Sequence, residues 1–157
     1  MSKTTQICDL VISNRLDVLA LTETWLNGTD LDKNCIADIN NTLPNYTIYQ
    51  VPRINRKGGG VALVLRDGFE VVKNSLLANT SFEYQDITLS HRSESFRLVN
   101  IYRPPSINVD CFLSDFSTLL EQLTISGCPI VISGDFNFHL DDSLNNDASK
   151  FLNLLDV

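Results

Sequence analysis

The stretch that decides the fold is Val131-Ile132-Ser133-Gly134-Asp135-Phe136-Asn137-Phe138-His139-Leu140, an apolar run that turns abruptly polar. With Pro129 and Ile130 before it, the apolar half reads as a buried strand. Alternate residues of a strand share a face, so Asp135 and Asn137 are expected to point one way and Phe136 the other, into the core. A second apolar run, Leu16 to Leu21, ends in the same manner in Thr22-Glu23-Thr24-Trp25 and reads as a strand apolar on both faces. Both runs bring carboxylate or amide oxygen to their C-terminal ends, the side of a layered α/β sheet on which ligands bind. Glu23, Asp135 and Asn137 offer oxygen alone, a set that suits Mg2+ or Mn2+ rather than zinc. A plainer explanation stands beside this one, since strand ends also turn polar where they meet water.

Near the N-terminus, Thr4 or Thr5 can cap a short helix with Ile7, Leu10 and Val11 on its apolar face, ending near Asn14. Residues 27–45 are polar and turn-rich, with room for a short helix around 31–40. YTIYQVPR reads as a strand broken at Pro52. The loop RINRKGGG leads into the strand GVALVLR, closed by Asp67-Gly68, and FEVVKN, FEYQDITLS and FRLVNIYRPP supply three more strands. Asn108 or Asp110 then starts a helix whose stripe is Phe112, Phe116, Leu119, Leu120 and Leu123, stopped by Gly127. Residues 143–157 read as a final helical segment. Helices at both ends of a block of strands, without repeats or a linker, indicate one mixed α/β layered domain with hairpin pairs in its middle.

At 157 residues the chain suffices for a single core. Its four cysteines, Cys8, Cys35, Cys111 and Cys128, form no CxxC pair, which speaks against a zinc ribbon or disulfide framework. No apolar run approaches a membrane span, and MSKTTQICDL lacks a signal core, so an intracellular, cytoplasmic or nuclear protein is expected. The N-x-S/T triplets at Asn27, Asn40, Asn45 and Asn79 then read as chance. A net charge of −7 by itself argues against tight binding to nucleic acid. The charge is uneven, however: Arg53, Arg56, Lys57, Arg66 and Lys73 crowd residues 51–73, while residues 108–157 carry Lys150 alone against many acids. A basic middle beside an acidic end is compatible with a phosphate track next to a cation site, and equally with a solvated surface.

LALTETWL, GGGVALVLRD, LVNIYRPP and VISGDFNFH, in this order, closely resemble the exonuclease–endonuclease–phosphatase superfamily, and within it the apurinic-type endonuclease domain of non-LTR retrotransposons. The resemblance covers residues 7–157 and implies a layered α/β sandwich of the DNase-I-like type, with mixed β-sheets flanked by helices. It implies Glu23 as the metal-binding glutamate, Asp135 as the aspartate acting on the attacking water, Asn137 as a contact to the scissile phosphate, and Tyr102 as a donor to that phosphate. Mg2+ or Mn2+ would assist phosphodiester hydrolysis. DNA would be the substrate, and an intact relative would carry a reverse transcriptase in the same polyprotein.

Gly58-Gly59-Gly60 lacks the following Gly-Lys-Ser/Thr of a P-loop and is expected to permit a tight approach to the next strand. Arg53, Arg56 and Lys57 just before it could touch DNA phosphates or simply face water. Trp25 is expected to pack at the domain edge, His139 to lie beside the site or at the surface, and His91 in an exposed turn. The family pattern begins with an asparagine-bearing strand and ends with an aspartate and a Ser-Asp-His signature that these residues do not contain. The resemblance thus implies a partial domain spanning 1–157, with little nuclease activity by itself. The readings carried forward are a metal-dependent DNA endonuclease and, as the alternative, a catalytically inactive fragment or relic of one. A branch acting on phosphoinositides or sphingolipids fits TETWL and NIYRPP less well.

Overall fold

The computed structural model describes residues 2–53, 57–74, 80–142 and 144–155. Among the described residues four helices enclose two β-sheets stacked face to face. The first sheet is antiparallel in the order β1-β3-β2, built from β1 (Val18–Thr22), β2 (Tyr46–Val51) and β3 (Val61–Arg66). The second has the order β4-β5-β6-β7, from β4 (Glu70–Asn74), β5 (Glu83–His91), β6 (Glu94–Tyr102) and β7 (Ile130–Asp135). Its β6–β7 pair is parallel, as befits two strands joined through a helix rather than a hairpin.

Helices α1 (Lys3–Asn14) and α2 (Asp30–Thr42) cover the outer face of the first sheet through Cys8, Val11, Ile39 and Leu43 packed on Val64. Helices α3 (Val109–Thr124) and α4 (Asn146–Leu155) cover the second. There Phe112, Phe116, Leu119 and Leu123, the stripe expected from sequence, meet Val99 and Ile101 of β6. Between the sheets lie Leu63 and Leu65 against Ile87, Leu89 and Leu98. No helix among the described residues is long and apolar enough to cross a membrane.

The helix boundaries follow from side-chain caps. Ser2, not Thr4 or Thr5, caps α1 by accepting from the Thr5 N–H at 3.2 Å. Asn108 caps α3 through the Cys111 N–H at 3.1 Å. Asn145 Oδ1 accepts from Asp147 and Ala148, so α4 begins at Asn146 rather than at 143, a residue outside those described. Helix α2 is longer than expected because Asp32 holds the turn before it, accepting from the N–H groups of Asn27 at 2.8 Å and Gly28 at 2.7 Å.

β1 and β7, read from their apolar runs as buried strands, are only partly covered. Among the described residues β1 pairs only with β3 and β7 only with β6, so each is the last strand of its sheet. All of β1 is half-buried and Val131 in β7 is 48% exposed. Two-sided apolar character predicts covered faces, and it is silent on whether a neighbouring strand covers the edge. His91 is exposed as expected but is the last residue of β5, with its ring nitrogen 3.0 Å from the Gly68 carbonyl.

Candidate active site

The C-terminal ends of β1, β6 and β7 lie together at one rim of the sandwich. Tyr102 ends β6 and Asp135 ends β7, directly opposite each other in register, with Glu83 at the start of β5 on the other side of Tyr102. Register partners share a face, so these three side chains look toward the first sheet. From that sheet comes Glu23, just beyond β1, and the buried Tyr102 hydroxyl donates to Glu23 Oε1. Glu23 Oε2 accepts from the Trp25 indole N–H at 2.9 Å and from the Gly59 N–H at 3.0 Å. Three donors fix the orientation of the carboxylate.

The glycine run explains itself here. Gly59 serves Glu23, and the next N–H, that of Gly60, donates to Glu83 Oε2. Both glycines have positive φ, 75° and 86°, and a Cβ on Gly60 would strike the Thr24 hydroxyl oxygen. The chain can pass this close to two carboxylates only without side chains. Glu83 also binds Arg53 Nε at 2.9 Å, with both side chains largely covered.

Asp135 and Asn137 sit on the neighbouring turn. The strand stops at Asp135, and Asn137 adopts left-handed backbone at φ 51°, so strict strand alternation does not reach it. Phe136 and Phe138 nonetheless both point inward, their ring centroids 5.0 and 4.7 Å from that of Phe151, leaving Asp135 and Asn137 exposed between them. The two phenylalanines anchor the turn from below. Asp135 Oδ1 accepts from the Asn137 N–H at 3.0 Å, and Asn137 Nδ2 donates to the Arg103 carbonyl at 2.7 Å. Glu23, Trp25 and Asn137, all with φ between 51° and 60°, put most of the described non-glycine left-handed residues at this rim. Such backbone costs about 1–3 kcal/mol per residue and persists where the surroundings over-determine it.

The expected residues therefore assemble, with differences in detail. Glu23 and Tyr102 are in contact, and Asp135 and Asn137 share the adjacent turn. Arg53 is committed to Glu83 and does not project into solvent, because Glu83 provides a carboxylate that sequence alone does not locate. Lys57 is exposed, and its ammonium lies 5.9 Å from the Trp25 ring centre; Lys3 lies 5.8 Å from the same ring. Trp25 itself is 54% exposed. Arg56 lies outside the described residues. His139 is exposed, and its carbonyl accepts from the Asp142 N–H at 3.2 Å. Glu83 and Arg103 escaped sequence reasoning, although the alternation that places Tyr102 would have placed Glu83 opposite it once the strand register was known.

Among the described residues no group of three His, Cys, Asp or Glu side chains stands ready to hold a metal ion. The groups that do face the rim offer oxygen atoms, those of Glu23 and Asp135, the ligand type that hard cations prefer.

Residues 2–156 match the family described as the Endonuclease/Exonuclease/phosphatase family. No curated protein sequence matches the chain. Among solved structures it is similar to the endonuclease domain of TRAS1, a telomere-specific non-LTR retrotransposon, with a TM-score of 0.72 at 12% identity over 99% of this chain and 66% of that one. It is also similar to a family protein from Bacteroides thetaiotaomicron (TM-score 0.66, 16% identity, 95% and 59% covered) and to truncated TDP2 from Caenorhabditis elegans (0.65, 17%, 91% and 59%). The chain thus spans between 59% and 66% of the length of these structures. They share its layered α/β fold.

Proposed function

The chain belongs to the endonuclease/exonuclease/phosphatase family, and on that footing we propose that its rim carries divalent-metal-dependent hydrolysis of a phosphodiester in DNA. The observation that carries the reading is the junction of Glu23, Tyr102 and Asp135, which joins the strand ends of two different sheets. Asp135, exposed and steadied through Oδ1, would take a proton from an attacking water. Asn137 keeps its Oδ1 and a second amide hydrogen for a phosphate oxygen or its leaving group. Tyr102 orients Glu23 and supplies a hydroxyl dipole fixed before reaction begins. Glu23 would hold Mg2+ or Mn2+, which when bound supplies positive charge to offset that building on the leaving oxygen.

The DNA substrate is supported by Lys3 and Lys57 around exposed Trp25 beside Glu23, cations with no carboxylate partner among the described residues, and by the likeness to the TRAS1 endonuclease domain. In this reading the natural context is a retrotransposon polyprotein with a reverse transcriptase, where nicking primes reverse transcription. A second reading, a catalytically inactive member of the family, is favoured by one observation: both Glu23 oxygens are already taken by protein donors.

Supercoiled plasmid with Mg2+ or Mn2+ distinguishes them. Nicking by the chain that disappears with Asp135→Ala supports the hydrolase. Binding of Mn2+, followed by its electron paramagnetic resonance signal and weakened by Glu23→Gln, tests the cation site without activity. Neither nicking nor Glu23-dependent Mn2+ binding would select the inactive reading.

A further inference from the structure

Arg103, directly after β6, is 4% exposed, yet no carboxylate lies within ion-pair distance of it among the described residues. Its Nη1 donates to the carbonyls of Phe136 at 3.2 Å and Asn137 at 3.1 Å, and its Nη2 to that of Ile107 at 2.8 Å. Its main chain continues the same grip: the Arg103 N–H donates to the Asp135 carbonyl at 2.9 Å, and the Arg103 carbonyl accepts from Asn137 Nδ2. Three successive carbonyls, those of Asp135, Phe136 and Asn137, are held by one residue. The guanidinium carbon lies 4.6 Å from the Phe138 ring centre and 5.6 Å from that of Phe112, and Nε is buried with no partner.

As a filler between two phenylalanines this is a poor choice. A buried cation loses its hydration, and burial lowers the pKa of Arg103 below the ordinary guanidinium value. An apolar side chain of similar size would fill the same space without that desolvation. What methionine or leucine cannot do is aim a planar fork of donors at two adjacent carbonyls. Left-handed backbone at Asn137 turns those carbonyls inward, and the fork is what meets them.

We infer that Arg103 is a positioning residue that holds the Asp135–Asn137 turn in the conformation presenting both side chains at the rim. That these side chains react with a phosphodiester rests on the proposed function; that Arg103 sets their geometry does not.

The test uses Arg103→Met, which keeps the packing and removes the fork, and Arg103→Ala with and without millimolar guanidinium. The readouts are thermal unfolding and hydrogen exchange of the Asn137 side-chain amide, assigned by its loss in Asn137→Asp. Arg103→Met is expected to lose some thermal stability, because three carbonyls lose their donors, while the Asn137 amide exchanges about tenfold faster or more than that global change accounts for. Guanidinium is expected to restore protection in Arg103→Ala. Unchanged Asn137 protection in folded Arg103→Met would overturn the inference, and so would protection lost only in step with global stability. Should neither variant fold, the wild-type Arg103 Nη–H signals decide: resolved and slowly exchanging supports the clamp, fast exchange with solvent rejects it. If the wild type proves inactive and indifferent to Mn2+ while Arg103→Met still frees the turn, the proposed function falls and the positioning role stands.

Discussion

Arg97 and Asp86 form a two-pronged ion pair inside the molecule, Nε to Oδ1 at 2.8 Å and Nη2 to Oδ2 at 2.5 Å, with side chains 8% and 0% exposed. The pair links β6 to β5 on the face that α3 and α4 cover, and Asn74 adds a donor to Asp86 Oδ1 at 3.1 Å. Desolvation is offset here because geometry and hydrogen bonding are both supplied.

Removing one partner leaves the other charged and dry. Asp86→Ala is expected to cost about 3–5 kcal/mol, and Asp86→Leu with Arg97→Met together far less. Urea unfolding of the two variants measures this. A double variant as unstable as the single one would mean that the pair itself stabilises the fold.

Tyr102→Phe deletes the hydroxyl that holds Glu23 and leaves the ring in place. If the rim is a phosphodiesterase, turnover is expected to fall about a hundredfold with little change in unfolding temperature. Steady-state nicking rates beside a melting curve check both halves. Unaltered turnover would remove Tyr102 from the machinery.

Gly134 is the tightest glycine in the molecule, since an added Cβ would overlap the Ile101 carbonyl on the neighbouring strand. Gly134→Ala is expected to cost roughly 4 kcal/mol or more by parting β6 from β7. Gly127→Ala meets no atom within 4 Å, so only its φ of 63° is strained, and about 1–2 kcal/mol is expected. Chemical denaturation of the two variants gives the comparison.

Cys8 is buried against α2, and desolvation, the largest influence, pushes its pKa up. A raised pKa means the folded state binds the thiol proton more tightly than the unfolded chain does. Its contribution to stability is therefore present below about pH 8.5, the usual thiol value, and is lost as pH rises through the folded value. Iodoacetamide at neutral pH is expected to modify exposed Cys35 and Cys111 and to spare Cys8. Peptide mass mapping shows which thiols react.

Much of the layering was legible in sequence because it depends on period. The stripe from Phe112 to Leu123 marks α3 and its buried face, and the apolar run from Val61 to Leu65 marks β3 as a strand. Edges were not legible, because β1 and β7 owe their exposure to the absence of a second pairing partner among the described residues, which no local pattern records. Glu23 and Asp135 could be singled out as strand-end carboxylates. Glu83 and Arg103 could not: their roles arise from residues far away in the chain, Gly60 and Arg53 for one and the carbonyls of Phe136 and Asn137 for the other.

The strands divide by chain position: β1 to β3 make one sheet and β4 to β7 the other, with the Asp67-Gly68 turn between them. Each sheet closes largely within its own half of the polypeptide. The hydrogen bonds that cross between them cluster at one end, from Asn100 Nδ2 to the Leu21 carbonyl at 2.9 Å, from Tyr102 to Glu23, and from Gly60 to Glu83. The rim thus depends on contacts between residues far apart in the chain and is complete only when the two halves are docked. The same arrangement makes the chain a natural split reporter. Cut at the Asp67-Gly68 turn, two polypeptides would each carry part of the rim, and its reassembly would register that they had met.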